Sequence, residues 1–214
     1  MVGNNYLRPG ALKLKDEDGD GKPDEQGIGN TQPLGVGGFS ISGFVYGFDF
    51  SANFNYVFGN KIYNANKIEF STTGKYQYRN MIESMADGKR WTNLNADGTI
   101  CNDPTQLAAM NANTTEFSPF TDRMVFSDWA VEDGSFLRLN TLTLGYTLPK
   151  DLLKKAKIES CRFYVTAYNV FCLTNYSGYD PEVSTMRRTN LTPGVDYSAY
   201  PKSRQFTIGI NLNF

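Results

Sequence analysis

The sequence contains no histidine, no long apolar run and almost no net charge. Histidine is the most common general base and metal ligand in proteins, so its absence argues against an enzyme. No segment approaches the roughly 18 consecutive apolar residues that a membrane helix needs. A formal charge of −1 over 214 residues gives no basic surface for nucleic acid. We therefore predict no catalytic residues, no enzymatic activity and no nucleic-acid partner.

Cysteine is also scarce, at three residues, and the spacing matches neither a CxxC pair nor a zinc site. Cys161 and Cys172 lie an odd number of residues apart in one strand-like run. Their side chains would point to opposite faces of the strand, so they cannot readily form a disulfide. Together with Cys101, they are predicted to be free thiols.

Aromatic residues, in contrast, make up 14% of the chain, and the final segment shows how they are arranged. Apolar residues in 207–214 alternate with polar residues or glycine and fall on one face of a predicted strand: Ile208, Ile210, Leu212 and Phe214. In a transmembrane β-barrel, such a face meets lipid and the polar face meets the lumen. Gly209, Leu212 and Phe214 also resemble the C-terminal assembly signal by which the barrel-assembly machinery recognises outer-membrane barrels.

The same alternation predicts further strands at residues 36–44, 48–58, 136–148 and 162–173, and Arg204 begins the final one. The clearest is 48–58, whose length is close to the roughly 9–11 residues of a tilted membrane strand. Short connections are predicted at Tyr46-Gly47 and in a basic helical turn from Lys150 to Lys157.

Long polar connections separate the strand pairs. We predict an extracellular loop segment with an acidic turn at 1–35, and long loops at 59–128 and 174–203, the first with a short helix around Tyr78 to Ala86. Short turns that alternate with long loops are typical of outer-membrane barrels, whose short turns are periplasmic.

The predicted fold class is therefore all-β, with residues 36–214 supplying about five strands of an antiparallel transmembrane β-barrel. The smallest membrane barrels have roughly eight strands, so the barrel is expected to be incomplete and the chain to be a C-terminal fragment. Residues Met1 to Tyr6 lack the basic and apolar regions of a signal peptide, which agrees with a fragment.

Several motifs, in order along nearly the whole chain, resemble the SusC/RagA-type TonB-dependent outer-membrane transporters. They are Asp16–Gly21 with Ile28–Asn30, Tyr56–Asn64, Val131–Leu139 with Thr143–Tyr146, Tyr168–Phe171, Tyr176–Glu182 and the terminal strand. One departure is the proline that usually follows Ile-Gly-Asn, which is displaced here to Pro33.

The resemblance implies the C-terminal strands of a large plugged barrel in the bacterial outer membrane, a class with about 22 strands. It implies energy-coupled import of a nutrient, commonly a glycan fragment and sometimes a peptide. The implied partners are a SusD-like surface lipoprotein over the extracellular mouth, TonB through a missing N-terminal region, and outer-membrane lipid.

The acidic segment also resembles a calcium loop. Asp16, Asp18, Asp20 and Asp24 occupy the first, third, fifth and ninth positions of an EF-hand-like loop, with Gly21 at the sharp turn. The twelfth position is Gly27 instead of glutamate, although Glu25 lies nearby. The spacing predicts Ca²⁺ as the one possible cofactor, and a solvated acidic turn is the alternative.

Other side chains are weaker candidates. Tyr176, Tyr179 and Trp91 are predicted to stack on substrate sugar rings, although barrels also place Tyr and Trp at membrane interfaces. Asp133 and Arg138 are expected to form a packing or ion-pair contact, and the lysines of the 150–157 turn to be solvated.

Two other functions are compatible with parts of the sequence. A secreted β-sandwich carbohydrate-binding module would also alternate, but it must cover the apolar face of residues 48–58 with a second sheet. A calcium-dependent hydrolase is disfavoured because no spacing brings two carboxylates together for catalysis.

Overall fold

The computed structural model describes residues 9–74, 78–120, 126–182, 193–197 and 199–214. The predictions for Met1 to Tyr6, and for parts of the two long loops, lie outside these ranges. The strands are β1 Gly35–Val45, β2 Phe48–Phe58, β3 Lys61–Asn64, β4 Val131–Asp133, β5 Phe136–Thr147, β6 Ser160–Thr174, β7 Val195–Asp196 and β8 Gln205–Asn213. The α-helices are α1 Ala65–Glu69, α2 Pro104–Met110 and α3 Lys150–Leu153.

Contacts divide the chain into two compact units, one of residues 1–28 with 65–130 and the other of residues 29–64 with 131–214. This division differs from the boundary predicted between residues 35 and 36. Much of the predicted loop 59–128 is thus a compact unit with its own buried side chains, such as Met85 and Phe117.

Within the first unit, the predicted helix at 78–86 is wrong, because the chain there makes only a 3-10 turn at Glu83–Met85. Instead, α2 forms where Asp103 caps its N-terminus. The Asp103 carboxylate accepts hydrogen bonds from the Thr105 and Gln106 backbone N–H groups, at 2.8 and 3.4 Å, and Pro104 pre-sets the first helical turn.

The second unit is built on a five-stranded antiparallel sheet in the order β1-β2-β5-β6-β8. All five predicted strands are confirmed, with bounds that differ by at most two residues from those expected. The sheet is open, as expected for part of a barrel. A second sheet of three short strands, in the order β4-β3-β7, buries Ile62.

The two short connections also form as predicted. Tyr46 and Gly47 both have positive φ, at 49° and 86°, which is the geometry of the tight turns that suit twisted hairpins. A side chain at Gly47 would press on the Thr147 carbonyl, so glycine is needed there for space as well as for φ. The basic turn folds as α3 followed by a 3-10 turn at Lys154–Ala156.

One face of the five-stranded sheet is apolar and exposed. Its residues include Phe48 at 59% exposed, Leu144 at 56%, Phe163 at 44% and Ile208 at 80%. We call this the outer face, and the opposite one the inner face. Because these side chains remain exposed, no second sheet covers the outer face within the described ranges. This agrees with a barrel wall and disagrees with a β-sandwich.

No helix in the described parts of the chain has both the length and the apolar character required to cross a membrane.

The exposed outer face and the two sheet edges predict how residues 1–214 behave when expressed alone. In the described sheet, β1 and β8 each pair on one side only, so both edges can pair with other molecules. We expect large aggregates in water that detergent disperses, as measured by size-exclusion chromatography with light scattering. Phe39→Lys with Ile208→Lys, which charges both edges, should raise the soluble fraction. A monodisperse monomer of the unmodified chain in detergent-free buffer contradicts this expectation.

Candidate functional site

The inner face carries a row of residues that crosses four strands in register. Asp49 of β2 lies opposite Gly145 of β5, which lies opposite Tyr164 of β6, which in turn lies opposite Gly209 of β8. Arg162 reaches across this row and donates two hydrogen bonds to the Asp49 carboxylate, from Nε at 2.8 Å and from Nη2 at 2.5 Å. The row therefore holds a bidentate ion pair between strands that are not neighbours.

The two glycines provide the room for this arrangement. A Cβ atom at Gly145 would collide with both the Asp49 carboxylate and the Arg162 guanidinium, so the ion pair passes directly over the Gly145 backbone. A Cβ atom at Gly209 would collide with the Tyr164 ring. The Arg162 guanidinium lies 5.1 Å from the centre of that ring, which adds a cation–π contact. Large and small side chains thus alternate along the row.

The predicted assembly-signal residues divide between the two faces. Gly209 lies on the inner face beneath Tyr164, whereas Leu212 and Phe214 are 47% and 85% exposed. Packing against Tyr164 therefore accounts for Gly209 within the fold. Recognition of Gly209, Leu212 and Phe214 during assembly stays a prediction.

A charge network whose centre, Arg138 with Asp180, is buried lies where the inner face meets the segments after β6. Arg138 of β5 is 4% exposed and contacts Asp180 at 2.5 Å and Glu182 at 3.3 Å. Lys202 extends the network to Glu182 at 2.5 Å, and its backbone N–H donates to Asp180 at 3.4 Å. The network ties two separate segments to one strand, and it confirms the ion-pair prediction for Arg138.

Asp133, predicted alongside Arg138, has a different role. Its carboxylate accepts a hydrogen bond from the Ser135 backbone N–H at 2.8 Å and shapes the turn that enters β5. Hydrogen bonds from the Ser135 side chain and backbone lower the pKa of Asp133 below its ordinary value. The carboxylate is therefore held in its charged form as a turn residue.

A second buried polar cluster surrounds Tyr176. The Tyr176 hydroxyl donates to Asp196 Oδ2 at 2.6 Å, and the two residues are 5% and 2% exposed. Next to Tyr176, the Ser177 N–H and hydroxyl both donate to Glu132 at 2.8 Å, and Asn64 donates to the same carboxylate at 3.2 Å. Burial, and then the hydrogen bond to Asp196, raise the pKa of Tyr176 well above its ordinary range, so the phenol stays protonated.

The structure does not support Tyr176 as a substrate-stacking residue, because its buried ring has no face to offer a sugar. Trp91 is half-buried in the first unit, where its ring lies against Gly10. Tyr179, in the second unit, is 83% exposed. Substrate stacking stays a prediction for Tyr179 and for the accessible part of Trp91.

The acidic loop gathers three of the four predicted calcium ligands. Oxygens of Asp16, Asp18 and Asp24 lie within 4.8 Å of one another, and all three residues are exposed. The backbone N–H groups of Gly19 and Gly21 donate to the two Asp16 oxygens at 2.7 and 2.8 Å. These hydrogen bonds wrap the loop around the Asp16 side chain.

Asp20 is not part of this group, and its carboxylate accepts a hydrogen bond from the Lys22 N–H at 2.8 Å. Glu25 does not join the group either. Oxygen donors suit Ca²⁺, which takes about six to eight of them, so Asp16, Asp18 and Asp24 would supply part of a coordination shell. The donor type fits the ion, and calcium binding stays a prediction.

Sequence reasoning missed the Asp49–Arg162 pair and the role of Asp196. A signal existed for the first, because the two residues carry opposite charge on the polar sides of predicted strands. No comparable signal marked Asp196, whose partner Tyr176 is 20 residues away along a predicted loop. The prediction that the cysteines are free is confirmed for Cys101, Cys161 and Cys172.

Comparison with known proteins adds several relatives, although no family profile matches the chain. The chain is 30% identical over 213 residues to TonB-dependent receptor P3 of Formosa agariphila, and 32% identical over 216 residues to TonB-dependent receptor P39 of the same organism. It is 28% identical over 146 residues to TonB-dependent receptor SusC of Bacteroides thetaiotaomicron. These matches cover 96%, 99% and 67% of this chain.

Among solved structures, the chain resembles the RagAB peptide importer in its open-open state, with a TM-score of 0.64 and 26% sequence identity. That match covers 87% of this chain and 18% of the other. The chain spans 19% of the length of each of the two Formosa receptors and 13% of SusC. It is thus similar to one part of much longer proteins.

The Tyr176–Asp196 contact predicts a specific loss of stability. Among the residues that the structure describes, Asp196 Oδ1 has no hydrogen-bond partner, and Tyr176→Phe would also remove the partner of the other buried oxygen. We expect a destabilisation of about 1–3 kcal/mol, measured by thermal unfolding of the protein dispersed in detergent. The matched control is Tyr179→Phe, which alters an exposed hydroxyl and should change stability by less than about 0.5 kcal/mol. Adding Asp196→Leu to Tyr176→Phe should restore part of the lost stability. Equal destabilisation by Tyr176→Phe and Tyr179→Phe would contradict a stabilising role for the Tyr176–Asp196 hydrogen bond.

The acidic loop predicts weak, selective calcium binding. We expect Ca²⁺ to bind with a dissociation constant of about 10⁻⁴–10⁻³ M, measured by calorimetry or by terbium luminescence with Ca²⁺ competition. Replacing Asp16, Asp18 and Asp24 together by asparagine should abolish binding, because it removes the three gathered carboxylates. Asp20→Asn is the matched control and should leave binding intact. Equal losses in both variants, or no binding at millimolar Ca²⁺, would show that the loop is an ordinary acidic turn.

Proposed function

Since this chain belongs to the SusC/RagA-type TonB-dependent receptors, of whose β-barrel it is a segment, we propose that it forms part of an outer-membrane nutrient importer. The observation that carries the proposal is the outer face, on which all five strands of the larger sheet expose apolar side chains. A barrel wall in a membrane requires such a face, because lipid contacts one side of every strand.

The orientation follows from the connections. The tight turn at Tyr46-Gly47 and the α3 turn lie at one end of the sheet, and the chain leaves β2 and β6 for its two long connections at the other end. We assign the short-turn end to the periplasm and the long-segment end to the outside of the cell. The Arg138 and Tyr176 networks then stabilise segments on the extracellular side of the wall.

The proposed cargo is a nutrient too large for porins, either a glycan fragment or a peptide. SusC is among the relatives, and RagAB is described as a peptide importer. The same relatives support a SusD-like surface lipoprotein as the partner over the extracellular mouth, and TonB as the source of energy. On this proposal, the residues of this chain bind the cargo, line its path and stabilise the barrel wall. No covalent chemistry is assigned to them.

The test uses the longer receptor that carries this segment, and compares neighbouring residues of β8 on opposite faces. Ile208→Arg places a charge against lipid, where it costs about 2–4 kcal/mol near the bilayer midplane and less near the interfaces. Thr207→Arg places the same charge on the inner face. We expect Ile208→Arg to lower the amount of assembled receptor in outer-membrane fractions, and Thr207→Arg to leave it near the wild-type level.

Growth then tests import and identifies the cargo class. Cells that lack the receptor should fail on one class of polymer, glycan or peptide, and still grow on its monomers. The Thr207→Arg receptor should restore growth, and Ile208→Arg should restore it only in proportion to the receptor that is assembled. The proposal fails if the receptor is recovered in soluble fractions, or if its loss affects growth on no polymer of either class.

A further inference from the structure

The basic turn between β5 and β6 has an exposed surface that the import function does not use. Residues 150–157 contain four lysines and one aspartate. They fold as α3 and the 3-10 turn at Lys154–Ala156, which is followed by Lys157 with a φ of 54°. The Leu148 N–H donates to the Cys161 carbonyl at 2.9 Å and closes the base of the turn. The turn is therefore an ordered, strongly basic structure.

The burial of Cys161 shows on which side of the sheet the turn lies. By the alternation along β6, Cys161 shares the outer face with Phe163 and Val165, which are 44% and 43% exposed. Cys161 itself is only 5% exposed, although it lies at the end of the strand. Helix α3 packs against β6, and its Leu153 is 6% exposed. Helix α3 therefore covers the end of the outer face instead of lying under the inner one.

The turn combines an exposed apolar residue with exposed lysines, and both kinds of side chain suit a membrane surface. Leu152 of α3 is an apolar residue that is 68% exposed. Lys154 pairs with Asp151 at 2.6 Å, whereas Lys150, Lys155 and Lys157 are exposed and have no ion-pair partner among the residues that the structure describes. Long lysine side chains can lay their methylenes on apolar surface and hold the ammonium group at the water boundary.

We propose that the 150–157 turn binds the headgroups of anionic phospholipids in the leaflet around the short-turn end of the barrel. Leu152 enters the boundary between acyl chains and headgroups, and Lys150, Lys155 and Lys157 contact the lipid phosphates. Charge complementarity selects this occupant, because an uncompensated basic surface at the edge of an apolar band fits a negatively charged headgroup above acyl chains. The inference rests on the proposed location in the outer membrane.

The experiment uses the full-length receptor that carries this segment, reconstituted in nanodiscs of phosphatidylcholine with about 20% phosphatidylglycerol as the anionic probe. Native mass spectrometry counts the phosphatidylglycerol and phosphatidylcholine molecules that remain bound. We expect the wild-type receptor to retain phosphatidylglycerol preferentially. The triple variant K150Q/K155Q/K157Q should lower that preference by about tenfold or more, since each lysine near an anionic surface contributes to binding.

Three further variants separate the effects of lysine charge, lysine position and the apolar contact of Leu152. Replacing all three lysines by arginine keeps the charge and should retain the preference. Glutamine at Lys13, Lys22 and Lys89, which are exposed lysines of the first unit, should change nothing. Leu152→Ser should weaken retention of both lipids, because it removes the apolar contact. An unchanged preference in K150Q/K155Q/K157Q overturns the inference.

The same preparations separate this inference from the proposed function. Recovery of the wild-type receptor in outer-membrane fractions is measured first. A receptor that is absent from the membrane overturns both proposals. A receptor that is present, imports its cargo and shows no lysine-dependent lipid preference overturns only the lipid site.

Discussion

The alternation of side chains along a β-strand requires every strand of the larger sheet to meet two different environments. Apolar residues such as Phe48 and Ile208 occupy one face, and residues such as Asp49 and Gly209 occupy the other. A shift of one residue in the pairing of any strand would exchange these faces, and would place a polar side chain in lipid. The correct strand register is therefore required for the apolar outer face and for the position of the connecting turns. It is also required for the inner-face row that holds the Asp49–Arg162 ion pair and the Tyr164 ring.

The positions of the charged side chains follow from this alternation between the two faces of the sheet. Where the structure places charged side chains on the inner face of the sheet, it pairs them: Arg162 with Asp49, and Arg138 with Asp180 and Glu182. A buried charge that loses its partner is strongly destabilising, so the buried Arg138–Asp180 pair in particular favours one arrangement of β5 and the segment after β6 over others. The four lysines of the 150–157 turn, in contrast, are exposed at the end of the sheet, where the strand pattern no longer dictates polarity.

The strands could be predicted because a period of two residues is a local property. The sequence pattern located β2 with its observed bounds, and the Tyr46-Gly47 turn with the residue types that positive φ favours. The Tyr176–Asp196 contact and the compact unit of residues 1–28 with 65–130 depend on contacts between distant residues, which no local pattern encodes. For the same reason, Tyr176 was predicted to be a binding residue, when burial beside a carboxylate gives it a structural role. In the acidic loop, the spacing identified three carboxylates that the structure gathers, and could not show that Asp20 lies outside this group.

The inner-face row of Asp49, Gly145, Tyr164 and Gly209 also distinguishes between strand registers that the alternation of side chains alone would allow. A shift of two residues keeps every apolar side chain on the outer face, so burial alone does not oppose it. If β5 moved by two residues, however, Thr143 or Thr147 would replace Gly145 beneath the Asp49–Arg162 ion pair. The Cβ atom of either threonine would collide with the paired groups, as a Cβ atom at Gly145 itself would. The same argument applies to β8, where Thr207 or Asn211 would replace Gly209 beneath the Tyr164 ring. Glycine at these two positions therefore favours the observed register among those that the two-residue period allows, because a larger residue there would require the Asp49, Arg162 or Tyr164 side chains to move.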